Sequence, residues 1–187
     1  MRSVFLSLLL ALSFAPGLAG HATAETVLTV TGRIAETNRG PYSPFADAFF
    51  KHHERTFEKA YALSYDTLKK LPQKSITAAF DTWPTAVNAS GPALADVLKV
   101  VKAPAVAKLT VVALDGYAAE FTAQDIAAHD WIVAIDADGK PLGVGGRGPA
   151  WMMYDTDGKT LKAEVEGLWV WSCLLYTSDA ADDSIRV

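Results

Sequence analysis

Residues 91–126 (GPALADVLKVVKAPAVAKLTVVALDGYAAEFTAQDI) decide the fold, because their apolar residues change from the period of a helix to that of a strand. The stretch opens with Gly91–Pro92, and proline is tolerated at the start of a helix. Apolar residues then follow the i, i+3, i+4, i+7 spacing of one helical face. This spacing predicts an amphipathic helix with Leu94, Val97, Leu98 and Val101 buried.

The second half of this stretch predicts a strand, a turn, a second strand and a short helix. Lys108–Leu114 is an apolar run rich in β-branched residues, which is typical of a buried strand. Asp115–Gly116 predicts the turn into Tyr117–Phe121. Thr122 and Asp125 have the spacing of a capping box, so a helix is expected to begin there.

On either side, short apolar segments alternate with turn residues. Helical turns are expected within residues 45–61 and after Ser64, and tight turns at Asp138–Gly139 and Asp157–Gly158. This order predicts an α+β domain with a mixed, strand-rich sheet. The other expected strands are Thr26–Ile34, Ser75–Phe80, Trp131–Ile135, Ala150–Tyr154 and Leu168–Trp171.

Residues 1–24 have the pattern of a secretory signal peptide. Arg2 precedes the apolar run Val4–Phe14, and Ala22–Thr23–Ala24 is a cleavage pattern of the A-x-A type. The run is shorter than the roughly 20 residues that cross a bilayer, which favours cleavage over anchoring. We therefore expect a mature chain that begins at Glu25, has no membrane span, and is periplasmic or secreted.

Residues 173–187 (CLLYTSDAADDSIRV) differ in character from the chain before them. The LLYTSDAAD string resembles the translation of a sequencing adapter at the end of a metagenomic contig. A frayed natural C-terminus is the alternative. The sequence thus predicts one domain, residues 25–172, followed by an artefactual tail, and it predicts that the natural final strand is missing.

Composition excludes several classes of function. The formal net charge is −4 and no basic cluster is present, which argues against a nucleic-acid partner. Cys173 is the single cysteine, so residues 25–172 contain none. That region therefore cannot supply a thiolate for metal binding, nucleophilic catalysis or redox exchange.

Three stretches resemble the sulfite-oxidase-type molybdopterin-binding fold. Residues 91–98 (GPALADVL) resemble its GPxLxDVL helix, and residues 114–126 (LDGYAAEFTAQDI) resemble its strand-turn-strand segment. Residues 135–155 (IDADGKPLGVGGRGPAWMMYD) resemble its DGxPL turn and glycine-rich loop. The resemblance implies the same fold, and it implies an oxidoreductase that holds a molybdenum–pterin cofactor.

This chain departs from that family at two points. In the sulfite oxidase branch a cysteine upstream of the GPxLxDVL helix binds molybdenum, but residues 78–88 here read AAFDTWPTAVN. Many members also have a basic cluster after the GP strand that grips the cofactor phosphate. Here Asp155–Thr156–Asp157 follows Tyr154, and its carboxylates would repel a phosphate. The departures predict a relative without the metal ligand.

The resemblance implies four candidate cofactor contacts, Asn38, Tyr117, Arg147 and Trp151. Arg147 lies in Gly143–Pro149, where glycines allow close approach of a ligand and the guanidinium offers several donors. The simpler alternative is a turn that leads into a strand. No catalytic or metal-binding residue is predicted.

The histidines give no strong indication of a site. Neighbouring side chains on a helix point about 100° apart, so His52 and His53 are poorly placed to chelate one metal. His129–Asp130 is interpreted as a turn before Trp131, because no nucleophile motif accompanies it.

Two functions from different classes remain. The first is a non-catalytic domain that binds a small ligand or a periplasmic or membrane protein partner, with no cofactor. The second is an oxidoreductase that binds molybdopterin without a cysteine ligand. The signal peptide favours the first: molybdopterin enzymes are usually exported folded through a twin-arginine signal, whereas Met1–Arg2–Ser3 contains a single arginine.

Overall fold

The structure is a computed structural model, and it describes residues 25–180. Short strands dominate and the helices span one or two turns. In chain order the elements are β1 (Thr26–Gly32), α1 (Ala48–His52), β2 (Ala60–Ser64), α2 (Tyr65–Lys70), β3 (Gln73–Phe80), β4 (Val87–Pro92), α3 (Leu94–Val100), β5 (Val106–Ala113), β6 (Ala118–Thr122), α4 (Ala123–Ala128), β7 (Ile132–Ala134), β8 (Asp136–Ala137), β9 (Lys140–Pro141), β10 (Trp151–Met153), β11 (Thr160–Leu161), a 3-10 helix (Ala163–Leu168) and β12 (Cys173–Ala180).

The strands form two five-stranded sheets and a two-stranded ribbon. The main sheet has the order β2-β1-β12-β5-β6, the second has the order β11-β3-β4-β8-β9, and the ribbon pairs β7 with β10. The sheets are mixed, because β1 runs parallel to β12 and β11 runs parallel to β3 while the other pairs are antiparallel. The predicted α+β fold with a mixed sheet is confirmed.

Two helix caps and one hairpin turn form where the sequence predicts them. The Ser64 hydroxyl accepts from the backbone N–H of Thr67 and caps α2. Thr122 and Asp125 form the complete capping box of α4. Asp138 and Gly139 both have positive φ and link β8 to β9, as a tight hairpin turn requires. These elements depend on neighbouring residues only, so their sequence patterns suffice.

The main sheet continues beyond the predicted domain end at Ser172. Cys173–Ala180 forms β12, which lies between β1 and β5. Thr29 of β1 lies opposite Leu175, and Tyr176 lies opposite Val111 of β5. These residues therefore fill a central position in the sheet, and the artefactual origin of the tail stays a prediction. Residues 181–187 lie outside the described part of the chain.

Two further segments differ from the sequence prediction. Leu168–Trp171 was expected to be a strand, but the chain forms the 3-10 helix up to Leu168 and then runs irregularly to Ser172. Gly91–Pro92 was expected to open a helix, but it ends β4. A Cβ on Gly91 would lie 2.0 Å from the carbonyl oxygen of Val133, so glycine permits the close approach of β4 and β7.

A layer of aromatic side chains lies in the core beside the 3-10 helix. The ring centroid of Trp169 lies 4.9 Å from that of Phe80 and 4.7 Å from that of Tyr154. The Trp83 ring lies 5.2 Å from Trp151. These offset and edge-to-face contacts fix the segment that follows the 3-10 helix.

The predicted signal peptide, residues 1–24, lies outside the described residues. Within residues 25–180, no helix has the length and apolar character needed to cross a membrane.

Candidate functional site

Three of the four predicted contact residues converge on residues 166–169, at the end of the 3-10 helix. The Tyr117 hydroxyl donates to the carbonyl oxygen of Gly167 at 2.9 Å. The indole N–H of Trp151 donates to the carbonyl oxygen of Trp169 at 3.0 Å. The guanidinium of Arg147 lies 4.0 Å from the carboxylate of Glu166. Tyr117, Arg147 and Trp151 thus all contact residues 166–169, a stretch that the sequence analysis did not identify as part of a site.

Asn38 lies elsewhere. Its side-chain amide donates to the carbonyl oxygen of Ala62 at 2.8 Å and accepts from the Ala62 N–H at 2.6 Å. Ala62 belongs to β2, one edge of the main sheet, whereas Tyr117 directly precedes β6 at the other edge. Asn38 therefore extends the hydrogen bonding of an edge strand, and the structure does not bring it to the other three residues.

Arg147 is held by aromatic rings. Its guanidinium carbon lies 4.4 Å from the ring centroid of Trp151, 5.1 Å from that of Trp83 and 6.0 Å from that of Trp171. Each distance is within the range of a cation–π contact. The Trp83 indole N–H also donates to Glu166 at 2.9 Å. Arg147 is therefore already engaged by three indoles and one carboxylate.

Two cavities lie on either side of the Tyr117–Gly167 hydrogen bond, because both residues line both cavities. We call the cavity of about 300 Å³ the small cavity and that of about 520 Å³ the large cavity. Trp169 and Trp171 also line the small cavity. Trp131, Tyr154 and His129 also line the large cavity.

Carboxylates supply the charge of both cavities. Asp115 and Glu166 line the small cavity, and Glu120, Asp125 and Glu164 line the large one. No lysine or arginine is among the residues that line either cavity. Hydrogen bonds from Thr122 lower the pKa of Asp125, which keeps that carboxylate ionised. The pair of cavities is therefore acidic as well as aromatic.

One buried donor in the wall of the small cavity has no acceptor. Trp169 is 1% exposed, and its indole N–H makes no hydrogen bond among the described residues. The indoles of Trp131 and Trp151 are paired, since Trp131 donates to the Asp125 carbonyl and Trp151 to the Trp169 carbonyl. A buried unpaired donor costs about 1–3 kcal/mol.

The sequence pointed to Tyr117, Trp151 and Arg147 but missed the acidic residues and the histidine. His129 was interpreted as part of a turn, yet its ring stacks on Tyr154 at 3.8 Å with an interplanar angle of 2° and borders the large cavity. Glu164 and Glu166 belong to a 3-10 helix that the sequence did not predict. Their signal was the acidic run AEVEG directly before the aromatic run LWVW.

His53 packs against the turn beside the small cavity. Its Nε2 lies 3.1 Å from the carbonyl oxygen of Leu114, and a Cβ on Gly116 would lie 2.7 Å from its ring. His53 thus packs against the turn that carries Asp115 and leads to Tyr117. Within residues 25–180 no group of three or more histidine, cysteine or acidic side chains is arranged to hold a metal ion.

The comparisons with known proteins show the fold. The chain is similar to the crystal structure of the sulfane dehydrogenase SoxCD from Paracoccus pantotrophus, with a TM-score of 0.55 and 14% sequence identity. The similarity covers 83% of this chain and 38% of that one, so this chain spans well under half of the dehydrogenase. No protein-family model and no curated protein matches the sequence.

The side chains around the cavities do not fit a molybdenum–pterin cofactor. A phosphate-bearing cofactor needs cationic donors, but five carboxylates line the cavities and Arg147 is engaged by Glu166 and the indoles. The one thiol, Cys173, donates to the carbonyl oxygen of Val170, and burial raises its pKa to about 12. It is therefore held as a neutral thiol rather than as the thiolate that binds metals.

Proposed function

We propose that this chain is an exported, non-catalytic ligand-binding domain built on a sulfite-oxidase-type fold. The observation that carries the proposal is the pair of aromatic cavities that meet at Tyr117 and Gly167. Their volumes, about 300 and 520 Å³, are those of small-molecule sites. The strand-turn-strand segment that resembles the family's motif supplies Tyr117, so the cavities lie where that segment meets the 3-10 helix.

Structural contacts engage three of the polar groups that line the cavities, which supports a role without catalysis. Asp125 accepts from the N–H and hydroxyl of Thr122 as the helix cap. Glu166 accepts from Trp83, and Tyr117 donates to Gly167. A nucleophile or general base needs a partner at hydrogen-bond distance and in the correct orientation, and these residues are bonded to fold elements instead.

An oxidoreductase that binds molybdopterin without a cysteine ligand is the competing function. It would use Tyr117, Arg147 and Trp151 as contacts. The donor set described above does not fit that cofactor, because the charge of the cavities is of the wrong sign. Pterin that co-purifies with the wild-type chain and is lost in Arg147→Ala would support this competing function.

The proposal of export depends on residues 1–24 and on cleavage after Ala24. Mass spectrometry of the N-terminus of protein expressed with its own leader tests it. A mature chain that begins at Glu25 is expected, and an intact N-terminus at Met1 would contradict export by cleavage.

Filling the shared wall of the cavities tests ligand binding. Gly167 lines both cavities, and a Cβ there would meet only the Tyr117 hydroxyl, at 3.5 Å. Gly167→Leu should therefore fold while its side chain occupies ligand space. A panel of small aromatic cations, acids and neutral compounds is screened by tryptophan fluorescence, because Trp131, Trp169 and Trp171 line the cavities.

Gly40→Leu is the matched control, since Gly40 is exposed and a Cβ there meets no atom within 4 Å. We expect saturable binding of at least one panel member to the wild type and to Gly40→Leu, and its loss in Gly167→Leu. No saturable binding by any member, or equal binding to all three proteins, would contradict the proposed function.

A further inference from the structure

The protein balances only part of the charge of the large cavity. Glu120 forms an ion pair with Lys108 at 3.0 Å, with side chains that are 63% and 42% exposed. Asp125 is bonded to the neutral Thr122. Glu164 is exposed and makes no ion pair with any residue in the range 25–180. The large cavity therefore carries unneutralised negative charge.

Aromatic side chains line the large cavity. Tyr117 is 51% exposed, whereas Trp131 is buried and the rings of Tyr154 and His129 stack on each other, so Tyr117 offers the accessible ring. A positively charged group near a tyrosine or tryptophan face is attracted by the ring quadrupole. The combination of carboxylates and π-faces in one cavity is the chemistry that recognises an organic ammonium group.

The protein already shows this recognition beside the small cavity. Arg147 is a cation held by three indoles and by Glu166, which itself lines that cavity. The same residue types, aromatic rings with carboxylates, line the large cavity without a lysine or arginine. In the large cavity, a ligand cation would supply the positive charge that the Arg147 guanidinium supplies beside the small cavity.

We propose that the large cavity binds an organic cation, an ammonium group on an apolar body, with the ammonium near Glu164 and the body against Tyr117. The proposal rests on the proposed ligand-binding function and names the chemical class of the ligand. Apolar contact with the rings holds the body, and the carboxylates select the charge. Anions of the same shape are rejected by the same carboxylates.

The test compares two probes that share one body and differ in the charged group, 3-phenylpropylammonium and 3-phenylpropanoate. Binding is measured at neutral pH by isothermal titration calorimetry with the mature chain. We expect saturable binding of the ammonium and at least about tenfold weaker binding of the carboxylate, since the charge pairing reverses sign. Raising the salt concentration should weaken binding of the ammonium.

Two pairs of variants test the assigned contacts. Glu164→Gln removes the unpaired charge and should weaken binding about three- to fivefold, the range for an exposed ion pair. Glu58→Gln is its control, because Glu58 is exposed and precedes β2 at the far edge of the main sheet. Tyr117→Leu removes the π-face and should weaken binding about two- to fivefold. Tyr117→Phe keeps that face and should bind like the wild type.

The outcomes separate this inference from the proposed function. Equal or tighter binding of the carboxylate probe would overturn the cation assignment while ligand binding stands. Binding of the ammonium that is unchanged in both Glu164→Gln and Tyr117→Leu would also overturn it, because the cation would bind elsewhere. If the fluorescence panel yields neutral or acidic binders and the ammonium fails, the ligand class is wrong. If no compound binds at all, both proposals fail.

Discussion

Substitution of Tyr176, which lies in the central strand β12, tests the structure of the main sheet. Its side chain is fully buried, and its hydroxyl makes no hydrogen bond among the described residues. Its polar neighbour is the Cys173 thiol, and sulfur is a weak acceptor. Burial also raises the pKa of the Tyr176 hydroxyl well above 10. The hydroxyl is therefore desolvated in the folded chain, with only the weakly interacting Cys173 thiol beside it.

Tyr176→Phe removes this hydroxyl and keeps the ring. An unpaired buried polar group costs about 1–3 kcal/mol, so the substitution should raise the free energy of unfolding by about 1–2 kcal/mol. For a domain of this size that corresponds to a rise in Tm of about 3–6 °C. Urea titration followed by tryptophan fluorescence, together with thermal unfolding, measures both quantities.

Tyr65→Phe is the matched comparison, because the same atom is removed from a bonded site. The Tyr65 hydroxyl donates to the buried carboxylate of Asp136 at 2.7 Å, so its loss should destabilise by about 1–2 kcal/mol. The two substitutions should thus have opposite signs. A loss of stability in Tyr176→Phe as large as that in Tyr65→Phe would refute the placement of β12.

Three further outcomes are expected. Burial raises the pKa of the Cys173 thiol to about 12, so at neutral pH a thiol reagent should modify it only after urea unfolding, and rapid native modification would contradict its burial. Asp136→Asn should cost about 2 kcal/mol at neutral pH, because Tyr65 and Lys69 both donate to that carboxylate. Hydrogen bonding to Asp136 raises the pKa values of both donors, so the difference from wild type should persist to about pH 10 and shrink above it. Equal stability of the two proteins at neutral pH would be inconsistent with these contacts. Arg147→Ala should cost about 1 kcal/mol and shift tryptophan emission, whereas Arg147→Lys should retain part of the stability; equal loss in both would assign the effect to the planar guanidinium alone.

Local chemistry made much of the fold predictable. The caps at Ser64 and Thr122 and the hairpin at Asp138–Gly139 are encoded within four residues, so their patterns were sufficient. The aromatic run before Ser172 did not predict its backbone conformation, because an apolar segment that is held by side-chain packing need not form a strand. Its Trp169 is fixed by ring contacts to Phe80 and Tyr154, which are distant in sequence.

The site was only partly predictable for the same physical reason. The resemblance directed attention to Tyr117, Arg147 and Trp151, and these three do meet at residues 166–169. The acidic character of the cavities depends on the 3-10 helix, which has no periodic apolar pattern to reveal it. Asn38 lies away from these three residues, because its loop amide completes the hydrogen bonding of an edge strand.

The molybdenum content of the purified protein tests most directly whether this chain is a ligand-binding domain or a molybdopterin enzyme. The protein is expressed with its own leader in cells that make the cofactor and are supplied with molybdate, and metal is measured per mole of chain. With acidic cavities, an engaged Arg147 and Cys173 held as a neutral thiol, we predict trace, substoichiometric molybdenum. Stoichiometric molybdenum with bound pterin would contradict the proposed function.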